Sequence, residues 1–145
     1  MSKEYTSLGF MSGTSGDGVD ASIISSDGET KYEVIEDQYF EYETDVYKKI
    51  HDIKLQINSS NELEKFQKDL NELEKKITLF HAKIGKEIIK DRKVDIIGFH
   101  GQTIYHSPQE KISKQLGNGK LLSQLLKKKV VYNFRQNDIK NGGEG

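Results

Sequence analysis

Residues 94–99, "VDIIGF", are an almost continuous apolar run of strand length, the pattern expected of a strand covered on both faces. Such a strand belongs to the interior of a layered sheet. Ahead of it, Leu63, Phe66, Leu70, Leu73, Ile77, Phe80, Ile84 and Ile88 recur three or four residues apart, which predicts one helix running to about residue 91. Behind it come a predicted helix over 120–128 and a second apolar strand, "VVYNF", at 130–134. Helical crossovers join parallel strands, so these two are expected to run parallel within the sheet.

The first third of the chain has a different rhythm. Residues 5–11, 19–26 and 31–42 read as strands with short connections, the turn signal "SDGE" lying between the last two, and so predict an antiparallel meander. Thr44 and Asp45 then open a helix with Val46, Tyr47, Ile50, Ile53 and Ile57 on one face, and "NSSN" at 58–61 breaks it. The economical assembly is an α/β fold with a mixed five-stranded sheet and flanking helices. That order resembles the ribonuclease H-like topology shared by ribonucleases and by the actin, Hsp70 and sugar-kinase superfamily. The long stripe also fits a heptad dimerisation seam, although a helix that covers a sheet needs a stripe of the same width.

With 145 residues the chain has the length of one domain, and its 22 basic and 23 acidic residues are interspersed, for a net charge of -1. No basic stripe suggests nucleic acid, and "KKK" at 127–129 suits the end of a helix. The absence of cysteine excludes disulfides and thiolate metal sites. No apolar run approaches membrane-spanning length, and the start "MSKEYTSLGF" has no signal-peptide core, so a cytoplasmic protein without membrane contact is expected.

The chemistry concentrates in residues 9–20, "GFMSGTSGDGVD". Gly13, Gly16 and Gly18 permit positive φ and close approach of backbone N–H groups, while Ser12, Thr14 and Ser15 add hydroxyls. Such a turn of donors suits phosphate. No Gly-Lys-Ser/Thr follows and a strand comes next, so this is a hairpin phosphate loop rather than a Walker loop. Asp17 and Asp20 are the carboxylates that can meet Mg²⁺, most naturally through water. A plain hairpin turn stabilised by its aspartates is the other reading.

"MSGTSGDGVD" resembles the phosphate-loop signature of the anhydro-N-acetylmuramic acid kinases, Met-Ser-Gly-Thr-Ser-Leu-Asp-Gly-Val-Asp. "IIGFHGQTIYHSP" at 96–108 and "QLGNGKLLSQLLKKKVVYNFRQNDIKNGGEG" at 115–145 are similar to later stretches of that family, in the same order, with a weaker middle over about 30–93. The resemblance implies an ATP- and Mg²⁺-dependent enzyme that opens the 1,6-anhydro ring of a muramic sugar with water and phosphorylates the 6-oxygen, in peptidoglycan recycling. It implies that Gly13, Thr14, Ser15, Gly16, Asp17, Gly18, Val19 and Asp20 line the ATP phosphates, Asp17 meeting the metal only through water. It also implies that His100 and Gln102, after a buried strand, border the sugar. Arg135 offers a guanidinium fork to the sugar's lactyl carboxylate, with Asp138 nearby. The plainer readings are a histidine satisfied by a neighbouring carbonyl and an Arg135–Asp138 surface salt bridge. His51, His81 and His106 are expected to be structural.

Three positions depart from the family: Gly16 stands where it has Leu, Asn133 where it has Asp, and Lys140 where a small apolar residue is usual. The family's general base lies in an Asp-Thr-Gly-Pro-Gly-Asn segment that is expected beyond Gly145, ahead of a second lobe. The expectation is therefore a single partial domain, the N-terminal lobe of a sugar kinase over 1–145, truncated before its second lobe and inactive alone. Its partners would be ATP, the amino sugar, a separate C-terminal half and a second copy in a homodimer. "NDIKNGGEG" fits either such a truncation or a flexible tail. Two competitors remain: a nuclease built on Asp17, Asp20 and Asp95, and a non-catalytic remnant or interaction module using the long helix.

Overall fold

A computed structural model describes residues 3–145. The meander forms as β1 (Tyr5–Ser12), β2 (Gly18–Ser26) and β3 (Tyr32–Glu41), with β1–β2 and β2–β3 antiparallel. Its second turn is held by Asp27, whose Oδ1 accepts the N–H groups of Glu29, Thr30 and Lys31 at 3.0, 3.0 and 2.9 Å. These bonds favour the ionised carboxylate and hold Asp27 below the usual range.

Three helices follow: α1 (Thr44–Gln56), the single turn α2 (Glu62–Lys65) and α3 (Gln67–Ile89). The predicted continuous helix is thus interrupted at Phe66, which has φ -99 and ψ 14. From there α3 lays Leu70, Leu73, Ile77, Ile84 and Ile88 on the sheet, all 3% exposed or less. Each such side chain contributes about 1.5–3 kcal/mol relative to staying in water. The stripe is spent inside the chain, so it does not form a heptad seam. On α1, Val46, Ile50 and Ile53 are buried, but Tyr47 is exposed and lies against His51 with ring centroids 4.2 Å apart.

β4 (Ile96–Ser107) is twice the predicted length, because "HGQTIYHS" continues as strand where a loop is expected. Thr103, Ile104 and Tyr105 favour extended backbone, and a new partner, β5 (Ile112–Leu116), pairs antiparallel with this half. The first half pairs in parallel with β1 and with β6 (Lys129–Tyr132), reached through α4 (Gly119–Leu126). Gly101 divides the halves at φ +78, and a Cβ there would lie 2.7 Å from the Leu116 carbonyl oxygen. The sheet has six strands: the predicted five in the order β3-β2-β1-β4-β6, with β5 added on the far half of β4. This is the ribonuclease H-like arrangement.

Leu8, Phe10, Val19, Ala21, Ile23, Ile97 and Phe99 point from the strands into one core beneath the helices. The expectation that 94–99 is covered on both faces fails on the other side. Ile96 and Gly98 share that side with Gly9, Ile24 and Val131, and they line an apolar trough open to solvent. Residues 136–145 are not a loose tail: α5 (Gln136–Lys140) buries Ile139 to 1% exposure, and the N–H of Gly143 donates to the Asp138 carbonyl at 2.9 Å. Among the described residues, no helix is long and apolar enough to cross a membrane.

Candidate functional site

The parallel strands β1, β4 and β6 bring three chain segments to one edge of the sheet. There β1 turns into the glycine hairpin, β4 bends at Gly101, and β6 leads into Asn133–Arg135. Strand C-terminal edges are where open α/β sheets bind ligands. Of the residues expected in a site, the hairpin, His100, Gln102 and Arg135 meet at this edge, with Asp138 on the adjoining α5.

The hairpin's conformation follows from its glycines. Gly16 takes φ +70 and donates to the Gly13 carbonyl at 3.3 Å, while a Cβ on Gly18 would lie 2.3 Å from the Phe40 carbonyl oxygen. Thr14, Ser15 and Asp17 are exposed and can meet a ligand. Val19 is fully buried in the core, and Asp20 sits on the sheet between Met11 and Tyr39. A single exposed carboxylate at the loop, Asp17, fits a Mg²⁺ held mainly by phosphate oxygens and water, and no group of three metal-binding side chains forms among the described residues. Asp95 is remote from the loop and accepts the Thr6 N–H at 2.9 Å, so the three carboxylates of the nuclease reading do not converge.

Beneath the loop runs a chain of buried polar groups that the sequence reading misses. His81 Nδ1 lies 2.7 Å from the Ile77 carbonyl, which can only accept, so this nitrogen carries the proton. Nε2 is then an acceptor, 3.4 Å from Ser12 Oγ. The Tyr42 hydroxyl spans Ser12 Oγ at 3.1 Å and Gln102 Oε1 at 3.0 Å, and Gln102 Nε2 donates to the Gly13 carbonyl at 2.8 Å. Ser12, His81 and Gln102 are 0% exposed. Burial pulls the His81 pKa down to about 4 and pushes the Tyr42 phenol well above its usual range, so both stay neutral. Gln102, expected beside the sugar, therefore has its amide engaged in bracing the loop. His81 is structural as expected, and its position on the apolar face of α3 was the available signal.

α1 closes the other side of the hairpin. A Cβ on Gly16 would stand 2.9 Å from Ile50 Cγ2, so the helix fills the space where the family's leucine would project. His51 Nε2 lies 3.8 Å from Asp17 Oδ1, and the Lys54 ammonium donates to the Thr14 carbonyl. Neither side chain is marked by any motif in the sequence.

On the remaining side, Arg135 Nε donates to His100 Nε2 at 2.6 Å, and His100 Nδ1 donates to the Gly101 carbonyl at 2.7 Å. Burial, then the Arg135 charge, lower the His100 pKa, which keeps the ring a neutral acceptor. The alternative reading of an Arg135–Asp138 salt bridge fails: Asp138 Oδ2 accepts the Gly145 N–H at 2.8 Å instead. Asn133 adopts φ 64, a left-handed conformation that asparagine tolerates well, and Lys140 is exposed, so two of the family departures fit their backbone and surroundings. A cavity of about 300 Å³ opens beside His100, lined also by Glu74, Lys114, Gln115, Tyr132 and Gln136.

A glycine hairpin after the first strand and an arginine just beyond the last parallel strand, both at one edge of the sheet, sit on a ribonuclease H-like fold of the kind that sugar kinases share. Residues 5–145 match the family model of anhydro-N-acetylmuramic acid kinase, and the chain belongs to that family. It is 65% identical over 147 residues to the anhydro-N-acetylmuramic acid kinase of Pelagibacter ubique, covering 100% of this chain and 39% of that protein. The relative of the same name from Agrobacterium fabrum is 35% identical over 150 residues, covering 100% and 40%. That from Brucella canis is 32% identical over 143 residues, covering 95% and 38%. The chain therefore spans about two fifths of the length of these relatives.

Proposed function

We propose that this chain supplies the nucleotide-phosphate loop and one wall of the sugar site of a cytoplasmic ATP-dependent kinase acting in peptidoglycan recycling. The reaction opens 1,6-anhydro-N-acetylmuramic acid with water and transfers the γ-phosphoryl group to the freed 6-oxygen, giving N-acetylmuramic acid 6-phosphate. One observation carries the reading: the hairpin with exposed Thr14, Ser15 and Asp17 is braced from beneath at the same strand edge that holds Arg135 against His100.

In this reading the backbone of residues 13–18 and the hydroxyls of Thr14 and Ser15 bind the ATP phosphates. Asp17 reaches Mg²⁺ through water, and the ion, when bound, offsets charge on the transferring phosphoryl group. The sugar lies toward the cavity beside His100. Arg135 directs its guanidinium to the lactyl carboxylate while neutral His100 fixes its Nε–H. The carboxylate that activates water is assigned to the part of the family chain beyond this one. Phosphoryl transfer depends on positioning every reactant, so these 145 residues alone are inactive.

The test is a two-chain assay read by mass spectrometry, with the anhydro sugar and MgATP supplied to this chain and to the remaining segment of the Pelagibacter relative. Product is expected from the mixture and from neither piece alone. No product from a mixture shown to associate, or turnover by this chain alone, would contradict the reading.

A further inference from the structure

The hairpin and its flanks contain no cation. From Glu4 to Thr30 there is neither lysine nor arginine, while Asp17 and Asp20 bring two negative charges. A bound nucleotide adds more negative charge than one Mg²⁺ offsets, and phosphoryl-transfer sites set lysine or arginine beside the metal for that reason. Arg135 at the same edge is engaged with His100.

The missing cation comes from α1. Lys54 donates to the Thr14 carbonyl at the tip of the hairpin, on the helix whose Ile50 and His51 rest against Gly16 and Asp17. We propose that Lys54 is a phosphate-contact residue of this loop, holding a nucleotide phosphate oxygen with its ammonium while it remains on Thr14. An ammonium has three hydrogens, so the Thr14 carbonyl leaves two for phosphate. The same bond fixes a flexible side chain over the loop before any ligand arrives, which reduces the entropy lost on binding. The inference rests on the reading that this hairpin binds ATP phosphates.

Isothermal titration of the 145-residue chain with Mg²⁺-tripolyphosphate and with MgATP tests it, using the wild type, Lys54→Gln and Lys54→Arg. Glutamine keeps a donor for the Thr14 carbonyl without the charge, and arginine keeps the charge. Lys54→Gln is expected to weaken both ligands about tenfold or more and to flatten the salt dependence, since a fixed charge facing phosphate is screened by ions. Lys54→Arg should stay within about threefold of wild type, because the charge is retained. All three proteins should melt together, as Lys54 is only half-buried and both replacements keep a donor for the Thr14 carbonyl. Wild-type affinity in Lys54→Gln, or equal loss in both variants, would overturn the proposal and leave Lys54 a brace for Thr14. A wild-type chain that binds neither ligand would overturn the phosphate-loop reading itself, and this proposal with it.

Discussion

Gln102 of β4 donates its side-chain amide to the carbonyl of Gly13 at 2.8 Å, which fastens the floor of the glycine hairpin to the neighbouring parallel strand. The other end of that amide accepts from Tyr42, so the loop's geometry depends on residues that touch no ligand. Tyr42→Phe leaves a buried Gln102 oxygen without its donor and is expected to destabilise the fold by about 1–3 kcal/mol. Urea unfolding measures this. Stability unchanged from wild type would show that the network is slack.

The pH dependence follows from His81. Its pKa is near 6.5 in the unfolded chain and falls to about 4 in the fold, where burial disfavours the imidazolium. The unfolded state therefore binds the extra proton, and stability is fully present above the unfolded value and is lost as pH falls from about 6.5 to about 4. The size of that shift corresponds to about 3 kcal/mol. His100, also lowered, adds to the same slope. His81→Gln should flatten most of the stability change between pH 7 and pH 4 in chemical unfolding; a slope equal to wild type would contradict a buried neutral His81.

Much of the fold is legible in the sequence because its signals are periodic. The stripe from Leu70 to Ile88 and the alternation Val19, Ala21, Ile23 depend on which residues face the core, and the structure buries all of them but Phe80, which is half-buried against it. The hairpin is legible for another reason, since glycines and hydroxyls at that density have few uses. The interactions that shape the site are not local. Tyr42, His81 and Gln102 are far apart in sequence and acquire meaning only when β1, β4 and α3 pack together. Lys54 is equally invisible, as one lysine among many, and the length of β4 is hidden because its polar residues find partners across β5.

Gly16 gives a test of how α1 and the loop have adjusted to each other. Restoring the family residue with Gly16→Leu places a side chain at φ +70, its Cβ 2.9 Å from Ile50 Cγ2. The left-handed backbone alone costs about 1–2 kcal/mol, and the collision adds to it. Combining it with Ile50→Ala should give a loss smaller than the sum of the two single changes, because they share one space. Strict additivity in thermal or urea unfolding would refute the contact.

The half-covered strand makes its own prediction. Ile97 and Phe99 are sealed in the core, but the opposite side of β4 faces an apolar trough flanked by Val131 and Phe134, 46% and 49% exposed. Apolar surface of this kind drives association. The isolated chain is expected to self-associate with rising concentration in sedimentation velocity. Val131→Lys should suppress this without changing unfolding stability, and a wild-type monomer at all concentrations would contradict it.

The central claim is that residues 13–18 bind nucleotide phosphates, and hydrogen exchange tests it most directly. Amides of the loop are followed in this chain with and without saturating MgATP. The account predicts slower exchange over Gly13 to Asp17, with no change in the remote turn at Asp27 to Lys31. Unchanged exchange in the loop at saturating MgATP, or protection confined to other segments, would contradict it.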